Sequence, residues 1–413
     1  MFLYVDHRSI DATLARSYRR DNAKNAPAFW LATEGTYAMN GQAIVSDQLA
    51  AKFKAEKETP YTRFIVSEGL DLINGNYVLS LHEVELKPWA RRGGSAVFMN
   101  HDASRTTNDC YVMEIPAGGK LNPHRQLFEE TILILSGRGS TVVWDDRGAK
   151  VSFEWGPGAI FGIPLNAHHQ HFNGSGSAPA RYIGVTNMPP LMNVFEEPDF
   201  IFATAHDFKG RFSGEPEYFA ESKEMQGLLL ETNYVADAVN LPLIHAKERG
   251  AGGGHIRFQL AKCSMNSHIS QFPVGTYKKC HRHGPGAHVI LLSGTGYSLM
   301  WPEGGTPRRY DWKPGSMIVP PNMWYHQHFN TGTTPARYLA FKYEGVAIRN
   351  EQGVPKAWIS QRIGGDQIDY ADESQEVRTM FADALAENGL ESNMAPAYEA
   401  EKPDLPPKPG KAA

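Results

Sequence analysis

Residues 118–144 read GGKLNPHRQLFEETILILSGRGSTVVW, and residues 274–301 read VGTYKKCHRHGPGAHVILLSGTGYSLMW. Laid over each other, their anchors pair at one constant offset of 157 residues (281 less 124 at the first histidines). Gly118 meets Gly275, His124 meets His281, Gly137 meets Gly294 and Trp144 meets Trp301. The register continues through Trp155 with Trp312, Gly158 with Gly315, Pro164 with Pro321, His169 with His326 and Asn173 with Asn330. It slips by one residue in the turn before the Ala-Arg-Tyr segments at Ala180 and Ala336. So long a shift-free match means that one structural unit was duplicated. The period is too long for a solenoid repeat and suits a whole small domain.

Each unit reads as β structure. TILILSG and HVILLSG are short apolar runs ending in Ser-Gly, while WGPGAIFGIP and WKPGSMIVP are turns that lead into strands. Strands so short and so regularly punctuated build a sandwich or a closed barrel. The expected layout places an N-terminal helical arm and outer strands in 1–94, with helices at 9–24 and 46–58. Barrel 1 follows in 95–190, a connection in 191–250, and barrel 2 in 251–345. The remainder, 346–413, holds a helix near 372–389, carried by Val377, Met380, Phe381, Ala384 and Leu385. After it comes a polar, proline-rich tail expected to be disordered or draped on a partner.

The 413 residues exceed a usual single domain, so two cores are the default. A net charge of -4 with no basic run gives no reason to expect nucleic acid. Asp6, His7 and Arg8 stand where a secretory signal needs apolar residues, and no run reaches the length of a membrane span. Three scattered cysteines cannot make a disulfide framework. The expectation is a soluble, cytoplasmic protein with no membrane partner.

Both repeats resemble the cupin family, whose first motif is glycine, five residues, His-x-His, a short spacer, glutamate, six residues and glycine. The second motif is glycine, five residues, Pro-x-Gly, two residues, histidine, three residues and asparagine. Repeat one supplies Gly118, His124, Gln126, Glu130 and Gly137, then Gly158, Pro164, His169 and Asn173. Repeat two supplies Gly275, His281, His283 and Gly294, then Gly315, Pro321, His326 and Asn330. The resemblance implies two tandem cupin barrels, each a jelly-roll or double-stranded β-helix, in an all-β protein with N-terminal and C-terminal helical arms. Asn166 and Met323 stand where the second motif has its second glycine.

The residues point the same way without the family. His281 and His283 are two apart on an expected strand, so both rings project from one face. His326 joins them from a later strand, and three neutral imidazoles suit a divalent ion: Fe(II) first by resemblance, with Mn, Ni, Cu or Zn also served. The glutamate ligand is absent from repeat two, where Ala287 matches Glu130. His288 is expected to point away from the barrel by strand alternation. The run HRHGPGAHVILLSG is similar to that of the gentisate, salicylate and 1-hydroxy-2-naphthoate 1,2-dioxygenases, in which three histidines hold Fe(II) and O2 opens an aromatic ring. In those relatives the metal usually sits in the N-terminal barrel.

In repeat one, His124, Gln126, Glu130 and His169 admit two readings, a degenerate structural barrel or a second, weaker metal site. Trp324 and His328 share strand parity with His326 and are expected to face the cavity as aromatic wall and acid, base or hydrogen-bond donor. Arg257 and Lys279 are candidates to pair with a substrate carboxylate. The leading expectation is a ring-cleaving dioxygenase acting on a small hydroxylated aromatic acid or similar chelating anion. A non-oxidative metal-dependent lyase, isomerase or hydrolase and a non-catalytic storage or binding protein stand as alternatives. The resemblance also implies a homo-oligomer, a dimer or tetramer.

Overall fold

The computed structural model describes residues 58–407 apart from 102–103, 105–106, 221–223 and 344–348. The helices expected at 9–24 and 46–58 therefore lie outside the described residues, save Glu58. The described chain is mostly β-sheet, in two units of identical strand topology.

In barrel 1 the main strands are β1 (Gly94–Met99), β2 (Asp109–Ile115), β3 (Glu130–Ser136), β4 (Gly139–Trp144), β5 (Lys150–Trp155), β6 (Ile160–Ile163), β7 (His168–Asn173) and β8 (Ala180–Thr186). Barrel 2 repeats them as β9 (Gly254–Gln259), β10 (Met265–Phe272), β11 (His288–Ser293), β12 (Gly296–Trp301), β13 (Arg308–Trp312), β14 (Met317–Ile318), β15 (Tyr325–Asn330) and β16 (Ala336–Tyr343). A large sheet in the order β1-β2-β8-β3-β6 faces a small one, β7-β4-β5; in barrel 2 the orders are β9-β10-β16-β11-β14 and β13-β12-β15. This is the expected pair of tandem jelly-roll barrels. Asn166 and Met323, the two departures from the second motif, both hold positive φ (57° and 58°). The turn keeps the left-handed geometry that glycine would supply, and asparagine tolerates it well.

The duplication also governs how the barrels join. Tyr77–Val78, ahead of barrel 1, pairs with β14 of barrel 2, and Tyr234–Val235, ahead of barrel 2, pairs with β6 of barrel 1. Asn76 and Asn233 accept matching backbone bonds from Val319 and Gly162. Each barrel thus lends an edge strand to the other, which covers two sheet edges at once. The outward faces of the two large sheets bury one shared core that includes Val97, Val112, Ile183, Phe258, Ile269 and Phe341. Inward faces fill separately: Phe98, Tyr111, Ile132 and Phe161 in barrel 1, and Val289, Leu291, Ile318 and Tyr338 in barrel 2.

Helices are few. Pro60–Ser67, which sequence reading did not anticipate, starts on a Thr59 capping box. The C-terminal helix spans Gln375–Glu387, and its Val377, Phe381, Ala384 and Leu385 pack on Tyr277, Tyr297 and Phe329. The tail differs from expectation as far as Pro407. Glu401 accepts from the backbone N–H groups of Tyr370 and Ala371, and Pro406 O accepts from Arg362, so this stretch lies on its own chain. No described helix is long and apolar enough to cross a membrane.

Candidate metal centre

The segment that carries His281 and His283 is not a regular strand. A single bridge pairs His281 with His326, and the Gly284-Pro285-Gly286 run keeps the backbone irregular as far as β11. The expected strand alternation is therefore absent there, yet the rings still meet. Potential ligand atoms of His281, His283 and His326 lie within 4.8 Å of one another. Reciprocal backbone bonds hold the pair: His326 N–H donates to His281 O at 2.9 Å, and His281 N–H to His326 O at 3.2 Å.

The tautomers are set by backbone carbonyls. Nδ1 of His281 donates to Lys279 O at 3.1 Å, Nδ1 of His283 to Gly284 O at 2.7 Å, and Nδ1 of His326 to Trp324 O at 3.1 Å. Each ring then offers its Nε2 lone pair, the arrangement by which metal-ligating histidines are oriented. Burial lowers all three pKa values, that of His283 to about 4, so the rings are neutral and ready to ligate. The donor set fits a divalent transition ion.

These rings line a cavity of about 350 Å³, within the size range of small-molecule sites. Ala287, fully buried beside them, places no carboxylate there. His328 also lines the cavity. Trp312 Nε1–H donates to Ser298 Oγ at 3.1 Å, and Ser298 Oγ lies 2.7 Å from His328 Nδ1. With the serine proton on that bond, His328 keeps its own proton on Nε2. The same relay recurs in barrel 1 as Trp155, Thr141 and His171, at the repeat offset.

Two expected site residues lie elsewhere. Trp324 precedes β15, just after the positive-φ turn at Met323, so strand parity does not reach it. Like Tyr77 and Tyr310 it packs against the apolar core of barrel 2, under the Arg308 guanidinium at 5.7 Å. Lys279 is drawn to the C-terminal segment by Glu401 at 2.7 Å and Asp369 at 3.3 Å. Arg257 does line the cavity.

Sequence reading missed the residue closest to the imidazoles. Arg249, nearly buried, sets Nη2 2.9 Å from His281 Nε2 and donates from Nη1 to Ala357 O at 3.1 Å. Its guanidinium lies 5.0 Å from the Trp358 ring centroid, a cation–π distance, and among the described residues no carboxylate pairs with it. A signal existed: Arg249-Gly250 repeats Arg92-Gly93 at the offset of 157 (249 less 92). Lys342, His255 and His268 also face the cavity. Burial and the Arg257, Arg249 and Arg349 charges push the Lys342 amine down to about 8. Among the described residues the one acid on the wall, Asp366, is held by Arg282 at 2.8 Å.

In barrel 1, Glu130 accepts from Gln126 Nε2 at 3.0 Å and from the Tyr111 hydroxyl, and its Oε2 lies 3.9 Å from His169 Nε2. The His124 and His169 ring centroids are 5.5 Å apart. This quartet is not among the compact metal-ligating clusters of the described residues. Arg92, only 1% exposed, lies inside with them.

No family model and no curated protein sequence matches the chain. Solved structures of oxalate decarboxylase are similar over 66% of this chain and 78% of theirs, at 13% identity and a TM-score of 0.44 for one. A tryptophan-to-tyrosine variant of the Bacillus subtilis enzyme gives 14% and 0.45 over the same shares. The Bacillus subtilis structure used to assign Mn(II) centres gives 13% and 0.45, again over those shares.

Proposed function

We propose that barrel 2 is the centre of a divalent-metal-dependent enzyme acting on a small organic anion by non-oxidative lyase, isomerase or hydrolase chemistry. The observation that carries this reading is the charge of the cavity. Arg249 and Lys342 line it beside three neutral imidazoles, and among the described residues the one acid on its wall, Asp366, is held by Arg282. A wall that carries these cations favours an anion inside. The ion held by His281, His283 and His326 would supply a Lewis acid that polarises the anion's oxygen atoms.

The chain's own residues do the rest. Arg249 presents a planar fork suited to a carboxylate. His328, oriented by Ser298 and Trp312, donates from Nε2 into the cavity. Lys342, with its pKa near 8, exchanges a proton at physiological pH. Trp358 and Tyr338 narrow the space and limit water. Two groups able to hold or move a proton favour acid–base work over a reaction that needs oxygen.

Ala287 favours a second reading, the Fe(II)-dependent dioxygenase that the sequence resemblance implies, because no side chain fills the fourth ligand direction. Turnover under strict anaerobiosis separates the two. The full-length protein, reconstituted in turn with Mn(II), Fe(II), Ni(II) and Zn(II), is offered oxalate and related small carboxylates, then gentisate, salicylate and hydroxynaphthoate. Product formation without O2 supports the non-oxidative reading. Strict, stoichiometric O2 uptake transfers the assignment to the dioxygenase. A protein that binds none of these ions sinks both and revives the storage reading.

A further inference from the structure

A second cluster lies outside the cavity, where the two large sheets pack on each other. His288, the first residue of β11, points away from barrel 2 and is fully buried. Across the interface stand Cys110 of β2 and His101, from the loop after β1, both fully buried. Potential ligand atoms of the three lie within 4.8 Å of one another. Met317 Sδ is 3.9 Å from Cys110 Sγ. Nδ1 of His101 lies 2.6 Å from Gly75 O, and Nδ1 of His288 lies 3.2 Å from Gly286 O and 3.1 Å from Asn108 Nδ2.

Two observations mark this as more than core. First, His288 Nε2 is buried with no hydrogen-bond partner. A buried ring nitrogen left so calls for an occupant, a water or an ion. Second, the duplication offers a control. At the repeat offset Cys110 corresponds to Ser267 and His288 to Thr131, and the strand pairing agrees. Cys110 and Thr131 both sit opposite Val185, as Ser267 and His288 both sit opposite Phe341. The mirror position thus packs two hydroxyl residues, so the sheet interface does not itself require imidazole and thiol.

We propose that His101, Cys110 and His288, with the Met317 thioether beside them, form a closed site for a thiophilic ion, copper in preference to zinc, that ties barrel 1 to barrel 2. Two imidazoles and a thiolate suit either ion, and the thioether is the soft donor that favours copper. With every ligand buried, the ion enters as the barrels close and acts as a structural clamp.

The test uses the full-length protein produced with Co(II) in the medium as a spectroscopic probe. Two ions per chain and a thiolate-to-cobalt charge-transfer band are expected. Cys110→Ser should lose the band and one ion, and His288→Gln should do the same should the serine variant not fold. A His281→Ala/His326→Ala variant should lose only the other ion and keep the band, so failure of the cavity assignment does not mimic failure here. Added while the chain refolds from denaturant, Cu(I) should displace the cobalt at lower concentration than Zn(II). No band in the unaltered protein, or a band that survives Cys110→Ser, overturns the site; equal or better displacement by Zn(II) overturns the preference for copper.

Discussion

Replacing Arg249 by glutamine should tighten metal binding and weaken substrate binding, two shifts of opposite sign from one side chain. Nη2 of Arg249 stands 2.9 Å from His281 Nε2, along the direction in which an ion would sit about 2 Å away. Guanidinium and ion cannot both occupy that space, so Arg249 must withdraw by several ångströms. At about 5 Å, a unit charge and a divalent ion repel by ~7 kcal/mol at an effective dielectric of 20 and ~2 kcal/mol in a water-like medium. Arg249, His281 and His326 are buried, so ~2 kcal/mol is a lower bound, and it already corresponds to about 30-fold in metal affinity. The same substitution removes a charge-assisted partner for the anion, at a cost of ~1.5–3 kcal/mol, or about 10- to 160-fold in its affinity. Isothermal titration of metal into apo-protein, then of substrate or a carboxylate analogue into the metal-loaded form, measures both. Linkage adds a third readout, because an anion that draws Arg249 off His281 must raise metal affinity in the unaltered protein. Metal affinity unchanged within a factor of two would refute the competition, and undiminished anion affinity would refute the carboxylate role.

Other expectations follow from the same geometry. His326→Ala should abolish stoichiometric metal binding by barrel 2 while circular dichroism stays that of the folded protein, since its backbone bonds to His281 do not need the ring; full occupancy by metal analysis would contradict the ligand assignment. Ala287→Glu places a carboxylate beside the three rings, so metal affinity should rise and anion affinity fall at least about tenfold, read by titration. Lys342 is a cation below pH ~8 and neutral above it, so anion affinity should be full at pH 7 and decline as pH rises through that value. Lys342→Gln should show weak, pH-independent binding over the same range. Because the unfolded chain keeps the lysine proton to about pH 10.5, folding stability in the unaltered protein should rise between about 8 and 10.5, and the variant should lose that slope in urea titrations.

The duplication was readable because its anchors are turn glycines, prolines and tryptophans whose spacing the barrel holds fixed. The three histidines were readable for the same reason, as was the orientation of His288 on regular β11. What misled was parity applied beyond regular strands. Lys279 shares parity with His281 but lies in a stretch held by isolated bridges, where Glu401 and Asp369 decide its direction. Trp324 stands one residue before β15 begins. The edge-strand exchange left a trace in the repeated Asn-Tyr-Val at 76–78 and 233–235, but which barrel each segment joins is a long-range property that no local pattern encodes. The approach of Trp358 and Ala357 to the cavity has no periodic signature either, for that segment carries only short 3-10 turns.

How one duplicated barrel came to hold a cavity and the other a core can be argued position by position. In barrel 1 the inward residues Ala96, Phe98 and Tyr111 belong to the apolar interior. Strand pairing puts His255, Arg257 and His268 at the matching places of barrel 2: Phe98 pairs with Tyr111 as Arg257 pairs with His268, and Ala96 with Met113 as His255 with Ser270. At the motif the change is of another kind: Gln126 becomes His283, which adds an imidazole, and Glu130 becomes Ala287, which removes a carboxylate. Each barrel keeps the inward arginine, Arg92 or Arg249. In barrel 1 the charge of Arg92 is met by Glu130, whose carboxyl is raised mainly by burial and held back by that guanidinium. In barrel 2 the glutamate is gone and the arginine remains, and among the described residues no carboxylate pairs with Arg249, so the place of that carboxylate is open to a bound anion. A bound anion restores that balance, and the filled interior of barrel 1 leaves no such demand.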